Sequence, residues 1–338
     1  MWYATSNMVP VVGITYNEAF PVEDGVVRRA LAELADVRMI EMPTGELTRE
    51  EDVATAAQMQ DVVAVLFRPG SLSRRLLSAC PQLRLIAVHG AGFDEVDLQA
   101  AADLGITVTN APGANAIGVA ELAITLAVSM MRHLAPIAAA TKAGQWNEAR
   151  QGGAELAGKT LGIVGVGHVG SRVARRALAF DMNVVAYDPA YTPEQFAERG
   201  IRWLPLDDVC SSADVLTFHT PLDPSTVHLL NAERVRAMKP GAFLLNLARG
   251  PVIDERAVEK ALRDGRLSGA ALDVREDEPP GDGDTLRELP NVIVTPHIGG
   301  STHEALVRIA EICAEEIRRF LRAEPPMNVV PLPAASRA

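Results

Sequence analysis

Cysteine is scarce in this chain, and its spacing builds nothing. Cys80, Cys210 and Cys313 are the three in 338 residues. That excludes a disulfide framework and a cysteine-rich metal centre, and points to a reducing, cytoplasmic setting. Positive charge is short too: 32 Lys and Arg stand against 43 Asp and Glu, for a formal net charge of −11. A surface of that sign argues against nucleic acid or an anionic membrane as partner. Long apolar runs are missing as well. The most apolar stretch, 116–140, is interrupted by Glu121, Arg132 and His133, which fits a buried helix better than a membrane span. Met1-Trp2-Tyr3-Ala4 has no basic segment and no signal-type apolar core, so no leader is expected. No metal-ligand pattern, low-complexity segment or short repeat appears.

What is present is an ordinary globular composition, 48% hydrophobic, on a chain long enough for two domains. In the first third, apolar strands are expected at 11–16, 37–42, 62–67, 83–89 and 106–110. Helical patterns such as 26–35 and 48–59 lie between them. This alternation predicts a parallel α/β unit. Ala111-Pro112-Gly113 breaks it, and one long helix is expected over 117–144. A second series of strands follows, at 215–219, 243–247, 269–274 and 292–295. A closing helix over 302–322 has Leu306, Ile309, Ile312, Cys313, Ile317 and Leu321 on one face. Spacing does not say to which unit that helix belongs. The tail from Pro325 is proline-rich and expected to be irregular.

The second series begins with the most informative stretch. Strand 159–164 runs into Gly165-Val166-Gly167-His168-Val169-Gly170, a helical pattern follows, and a second strand, 182–187, ends in Asp188. This is a strand–turn–helix–strand unit reading G-x-G-x-x-G, with an acid placed for a ribose 2′-hydroxyl. Gly165 permits the turn, Gly167 lets the backbone approach a pyrophosphate, and Gly170 lets helix and strand pack closely. Asp188 favours NAD, because a carboxylate repels a 2′-phosphate and Pro189-Ala190-Tyr191 supplies no cation.

Hydride chemistry on a carbonyl needs an acid/base and a cation or donors for the substrate. Arg249 follows an apolar strand, where a planar fork can hold a carboxylate. Asp273, Glu276, Asp277 and Glu278 follow the next strand, and spacing does not choose among them. His297 lies between Pro296 and the Gly299-Gly300 pair, just before a helix. A carboxylate beside it would fix its tautomer and favour its protonated form. His168 is placed near the phosphates, and His219 ends a strand. His89, His133, His228 and His303 read as ordinary strand-end or helix residues.

In this order the motifs resemble those of the D-isomer-specific 2-hydroxyacid dehydrogenases. The likeness runs from about Leu83 to the last helix. It includes His89-Gly90-Ala91-Gly92, Asn110-Ala111-Pro112-Gly113, the glycine loop with Asp188, His219-Thr220-Pro221-Leu222, Asn246 to Gly250, Leu272-Asp273-Val274 with Glu278-Pro279, and Thr295 to Gly300. The resemblance implies a catalytic set of Arg249, Glu278 and His297. Arg249 would bind the substrate, and His297, paired with Glu278, would be proton donor and acceptor. It implies Asp273 near the nicotinamide amide, and Ala91 and Gly92 as backbone donors to the substrate carboxylate. Gly165, Gly167, His168, Val169, Gly170, Asp188, Thr220 and Pro221 become expected cofactor contacts.

The fold implied is α/β, two Rossmann-like domains with a cleft between them. A flavodoxin-like substrate domain would span 1–111 and 302–338, and an NAD-binding domain 112–301, with hinges at 111–113 and 299–302. A homodimer through the cofactor domain is implied, and a reversible hydride transfer between NAD(H) and C2 of a small 2-oxo or 2-hydroxy acid. Glyoxylate, hydroxypyruvate, phosphoglycerate and aryl-pyruvate stay open. With no regulatory domain expected after the last helix, a regulated phosphoglycerate enzyme is the less expected of these. Formate is disfavoured, since relatives acting on it carry Gln at position 278. An NAD-sensing, corepressor-like regulator on the same scaffold is the alternative. Two departures stand out: His168 replaces a longer polar residue in the loop, and the first 80 residues match in pattern only. Arg68-Pro69-Gly70-Ser71 is the expected wall of the substrate pocket in that region.

Overall fold

In a computed structural model of the chain, residues 9–20, 22–147, 149–150 and 152–336 are described. The Met1–Ala4 start, read above for a leader, lies outside them. The chain divides into two compact units, Met1–Asn115 with Thr302–Ala338, and Ala116–Ser301.

Among the described residues, the first unit is built on five parallel strands: β1 (Val11–Tyr16), β2 (Asp36–Glu41), β3 (Val62–Phe67), β4 (Leu85–Val88) and β5 (Thr107–Thr109). They lie in the order β2-β1-β3-β4-β5, a flavodoxin-like winding. All six residues of β3 are buried, as a central strand with both faces covered requires. Thr48 starts the helix Arg49–Gln58 with a capping box. Its hydroxyl accepts from the Glu51 N–H, and the Glu51 carboxylate accepts from the Thr48 N–H.

The closing helix, His303–Leu321, belongs to this unit, a question the spacing left open. Its Ile309, Cys313 and Ile317 share a core with Val27, Leu31 and β-strand residues such as Ile14 and Leu66. Thr302 caps it, accepting from the Ala305 N–H at 3.2 Å.

Among the described residues, the second unit carries seven parallel strands: β6 (Thr160–Val164), β7 (Asn183–Tyr187), β8 (Arg202–Trp203), β9 (Val215–Phe218), β10 (Ala242–Asn246), β11 (Leu267–Leu272) and β12 (Val292–Val294). Their order is β12-β11-β10-β9-β6-β7-β8. Residues alternate between two cores, one on each face. In β10, Leu245 joins one cluster and Leu244 the other; in β9, Val215 and Leu216 divide in the same way.

One expectation is corrected. The long helix read over 117–144 is two helices, Ala116–Met131 and Leu134–Lys142, bent by 65°. His133, read as an ordinary helix residue, has φ +51° and ends the first helix in a left-handed turn. Apolar periodicity continues through a break of two residues, so the pattern alone does not report the bend. The first helix buries ten of its sixteen residues, while the second buries none. No single helix among the described residues is long and apolar enough to cross a membrane.

Candidate active site

In the second unit, β6 and β9 are neighbours and the winding reverses between them. Loops leaving two strands at such a point diverge and open a crevice for a ligand. Val164 pairs with Phe218, so both strands end level. The glycine loop leaves one, and His219-Thr220-Pro221 leaves the other.

Gly165 has φ +90°, and a Cβ there would come within 2.7 Å of the His219 carbonyl. A Cβ on Gly170 would land on the Gly165 carbonyl, so the helix Gly170–Ala179 closes on the loop only without a side chain. Gly167 is exposed, and a Cβ there would meet nothing within 4 Å. Val169 has no side-chain acceptor to cap the helix, and the Ser171 and Arg172 N–H groups donate to the Gly167 and Val169 carbonyls at 3.2 and 2.8 Å.

Asp188 follows β7 and reaches back to the loop. Its Oδ2 accepts the Val166 N–H at 2.7 Å and its Oδ1 the Ala190 N–H at 2.9 Å. A carboxylate has about four acceptor positions, so capacity for a diol remains. His219 Nδ1 and Thr220 Oγ1 are buried with no hydrogen-bond partner. Orphaned polar atoms beside a side-chain-free loop and an acid fit a dinucleotide. The His168 side chain is exposed, and its carbonyl accepts from Arg172 at 2.7 Å. The Pro221 carbonyl accepts from the Thr226 hydroxyl at 2.8 Å.

β10, β11 and β12 continue the sheet in register order, so the loops at their carboxyl ends are adjacent. After β10, the buried Asn246 shapes the turn. Its Oδ1 accepts from Ala248 N–H at 3.1 Å and its Nδ2 donates to the Arg249 carbonyl at 2.9 Å. Arg249 is partly exposed, and its guanidinium donates to the Ala248 carbonyl at 2.7 Å.

After β12, His297 sits in the left-handed region at φ +53°, costly for a residue with a side chain. Asp273, after β11, holds it there. The Asp273 carbonyl accepts the His297 N–H at 2.9 Å. Its buried carboxylate accepts from the Thr295 hydroxyl at 2.6 Å, the Ile298 N–H at 2.9 Å and the Gly299 N–H at 2.8 Å.

The four-acid ambiguity resolves geometrically. Glu278 Oε2 lies 2.8 Å from His297 Nδ1, while Glu276 turns to His228 at 3.2 Å. The other Glu278 oxygen accepts the Arg275 N–H at 2.9 Å. Glu278 raises His297 through that hydrogen bond, against burial, with its negative charge and that of Asp273 adding and Arg249 opposing. For Glu278, burial acts upward. The His297 bond and charge, the Arg275 N–H and the Arg249 charge outweigh it and hold the carboxyl below its usual range.

The arrangement is a protonatable imidazole with a fixed partner and a guanidinium whose charge reaches both. With Nδ1–H donating to Glu278, Nε2 is the atom free to exchange a proton with a reacting oxygen. Burial pushes His89 and His219 down to about 3, with Arg68 adding to the effect at His89. Both are neutral imidazoles near pH 7.

Ala91 and Gly92 belong to the first unit, in the loop after β4, where the Ala91 carbonyl accepts from Asn110 Nδ2 at 2.7 Å. Arg68, after β3 in that unit, lies 5.8 Å from the Phe20 ring centroid, and burial lowers it to about 10.

Arg275 and Thr295 are functional-site residues that no sequence motif assigns a role of their own. Thr295 had a signal, a hydroxyl two residues before the histidine. Arg275 had none, because its partners Glu255 and Asp284 are 20 and nine residues away.

Residues 124–299 match the family described as D-isomer specific 2-hydroxyacid dehydrogenase, NAD binding domain. A D-3-phosphoglycerate dehydrogenase of Methanocaldococcus jannaschii is 41% identical over 315 residues, covering 92% of this chain and 59% of that protein. The chain thus spans little more than half of that relative's length. A hydroxypyruvate reductase of Thermotoga maritima is 38% identical over 302 residues, 89% of this chain and 97% of that one. A glyoxylate reductase crystal structure from Paecilomyes thermophila superposes with a TM-score of 0.84 at 30% identity, covering 96% and 99%.

Proposed function

Since the chain belongs to the D-isomer specific 2-hydroxyacid dehydrogenase family, we propose that it is an NAD-dependent oxidoreductase interconverting a small 2-oxo acid and its 2-hydroxy acid. The observation that carries this reading is the 2.8 Å bond between His297 Nδ1 and Glu278 Oε2, with the Arg249 charge acting on both.

The dinucleotide, when bound, supplies or accepts the hydride at C2. Arg249 binds the substrate carboxylate and carbonyl and offsets charge growing on the oxygen. Backbone N–H groups at Ala91 and Gly92 hold the carboxylate. Protonated His297 gives its Nε2 proton to that oxygen, and Glu278 steadies the cation. In oxidation the neutral imidazole takes the proton back. Gly165, Gly167, His168, Val169, Gly170, Thr220 and Pro221 form the pyrophosphate side of the cofactor site, Asp188 takes the ribose hydroxyls, and Asp273 lies by the nicotinamide amide.

A cytoplasmic homodimer completes the reading. All three cysteines are free thiols, which suits a reducing compartment. The helix Leu134–Lys142 buries none of its residues, and Leu134 and the nearby Trp146 are 55% and 68% exposed. An apolar helix so exposed fits a second copy of this chain.

The test is NADH oxidation against a panel of 2-oxo acids, including glyoxylate, hydroxypyruvate and a phosphorylated hydroxypyruvate. Turnover of at least one is expected. His297→Ala and Arg249→Ala should each lower kcat by about 10²–10⁴-fold and leave NADH binding intact. If NADH binds and no acid is reduced, a non-catalytic NAD sensor replaces the enzyme.

A further inference from the structure

Outside the residues given roles above, the second unit contains a buried ionic cluster one step behind the reacting groups. Arg275 is 7% exposed, and its guanidinium holds two carboxylates at once. Nε and Nη2 donate to the two oxygens of Glu255, both at 2.9 Å. Nη1 and Nη2 donate to the two oxygens of Asp284 at 2.7 and 2.9 Å. The Glu255 and Asp284 side chains are 11% and 6% exposed, so all three charges are largely removed from water.

The backbone of Arg275 touches both halves of the proton-transfer site. Its N–H donates to Glu278 Oε1 at 2.9 Å, while the other Glu278 oxygen faces His297. Its carbonyl lies against Gly250, the residue after Arg249, so closely that a Cβ on Gly250 would land on it. Glu255 extends the clamp by accepting the Glu276 N–H at 2.9 Å, while the Glu276 carboxylate accepts the Glu255 N–H at 3.2 Å.

A buried ion cluster is a poor way to add stability, because desolvation offsets most of its Coulomb energy. A fork held in two bidentate pairs does fix direction. It fixes the strand-end backbone from which Glu278 is addressed and against which the Arg249 turn packs.

We propose that Arg275, clamped between Glu255 and Asp284, is a positioning residue that sets the geometry of Glu278 toward His297 and of the Arg249 turn beside it. It touches neither substrate nor cofactor and acts through Glu278. The inference rests on the reaction proposed above for its kinetic arm only.

The test compares wild type with Arg275→Lys and with the triple variant Glu255→Gln/Arg275→Met/Asp284→Asn, which removes the cluster without leaving a buried charge unpaired. Two readouts are taken: steady-state kinetics with the best 2-oxo acid, and the His297 imidazole titration by NMR. The charged groups acting on that ring are Glu278, Arg249 and Asp273. With the Glu278 contact loosened, the titration should move down toward the ordinary imidazole range. kcat should fall about tenfold with KM changing less than about twofold, and Arg275→Lys should fall between.

A folded triple variant with wild-type kcat and an unmoved titration overturns the proposal. So does failure of both variants to fold, which would make Arg275 a stability element alone. If wild type reduces no 2-oxo acid, the proposed reaction fails, while the titration still decides the positioning claim.

Discussion

The backbones of Asp273 and His297 are tied directly, the His297 N–H donating to the Asp273 carbonyl at 2.9 Å. The Asp273 carboxylate then takes two further N–H groups and one hydroxyl from the same loop. A left-handed histidine at φ +53° is thereby held by a buried acid at the end of the neighbouring strand.

Asp273→Ala removes the acceptor from three donors, of which the Gly299 N–H is buried. A buried unsatisfied group costs about 1–3 kcal/mol, so a loss of that order in unfolding free energy is expected. Urea unfolding followed by fluorescence measures it. A change under about 1 kcal/mol would show that the loop finds other partners.

The His297–Glu278 pair predicts the pH dependence. His297 is raised above 6.5 by its bond to Glu278. The reductive kcat/KM therefore stays high through pH 6.5 and falls as pH rises past the raised value. Oxidation, which needs neutral His297, rises over that range. Glu278→Gln removes the main cause and should move the reductive limb to lower pH. The linkage to stability has two signs. The His297 contribution is full below 6.5 and lost as pH rises through the folded-state value. The Glu278 contribution is present above 4.5 and lost as pH falls through its depressed value. Rate profiles of both proteins from pH 5 to 9 would reveal a limb that fails to move.

Two glycines of the loop should part company. Gly170→Ala puts a methyl onto the Gly165 carbonyl. It is expected to destabilise by about 1–3 kcal/mol and to weaken NADH binding. A methyl at Gly167 enters open space. Gly167→Ala should keep the wild-type Tm within a few degrees and still weaken NADH binding, because it occupies the approach to the phosphates. Thermal unfolding beside NADH fluorescence titration separates the two, and unchanged affinity in Gly167→Ala would move the phosphates elsewhere.

The exposed helix Leu134–Lys142 gives a test of assembly. Leu134→Asp with Trp146→Ser should turn a dimer into a monomer in sedimentation equilibrium. A wild-type chain that is already monomeric would remove the dimer from the proposal.

Much of the fold was legible because both units are repetitive. Residues 11–16 and 62–67 were read as strands at the bounds they have, since buried parallel strands are short apolar runs between turn signals. The bend at His133 was not legible, because a single residue's backbone conformation leaves no trace in apolar periodicity. The two-residue strand β8 was too short to carry a pattern. Which unit holds the closing helix also depended on packing, since one apolar face suits either sheet.

The sequence by itself determined the glycine loop, the acid that ends the following strand and the residue types a carbonyl reaction requires, because these are local: each glycine acts on its own backbone, and Asp188 follows its strand directly. Spacing left open which acid faces His297 and the resemblance implied Glu278; only the tertiary structure decided that Asp273 holds the His297 loop and that Arg275 is clamped by Glu255 and Asp284. Those relations join residues from different strand ends, and the order of strands in a sheet, which brings them together, is set by packing across the whole unit.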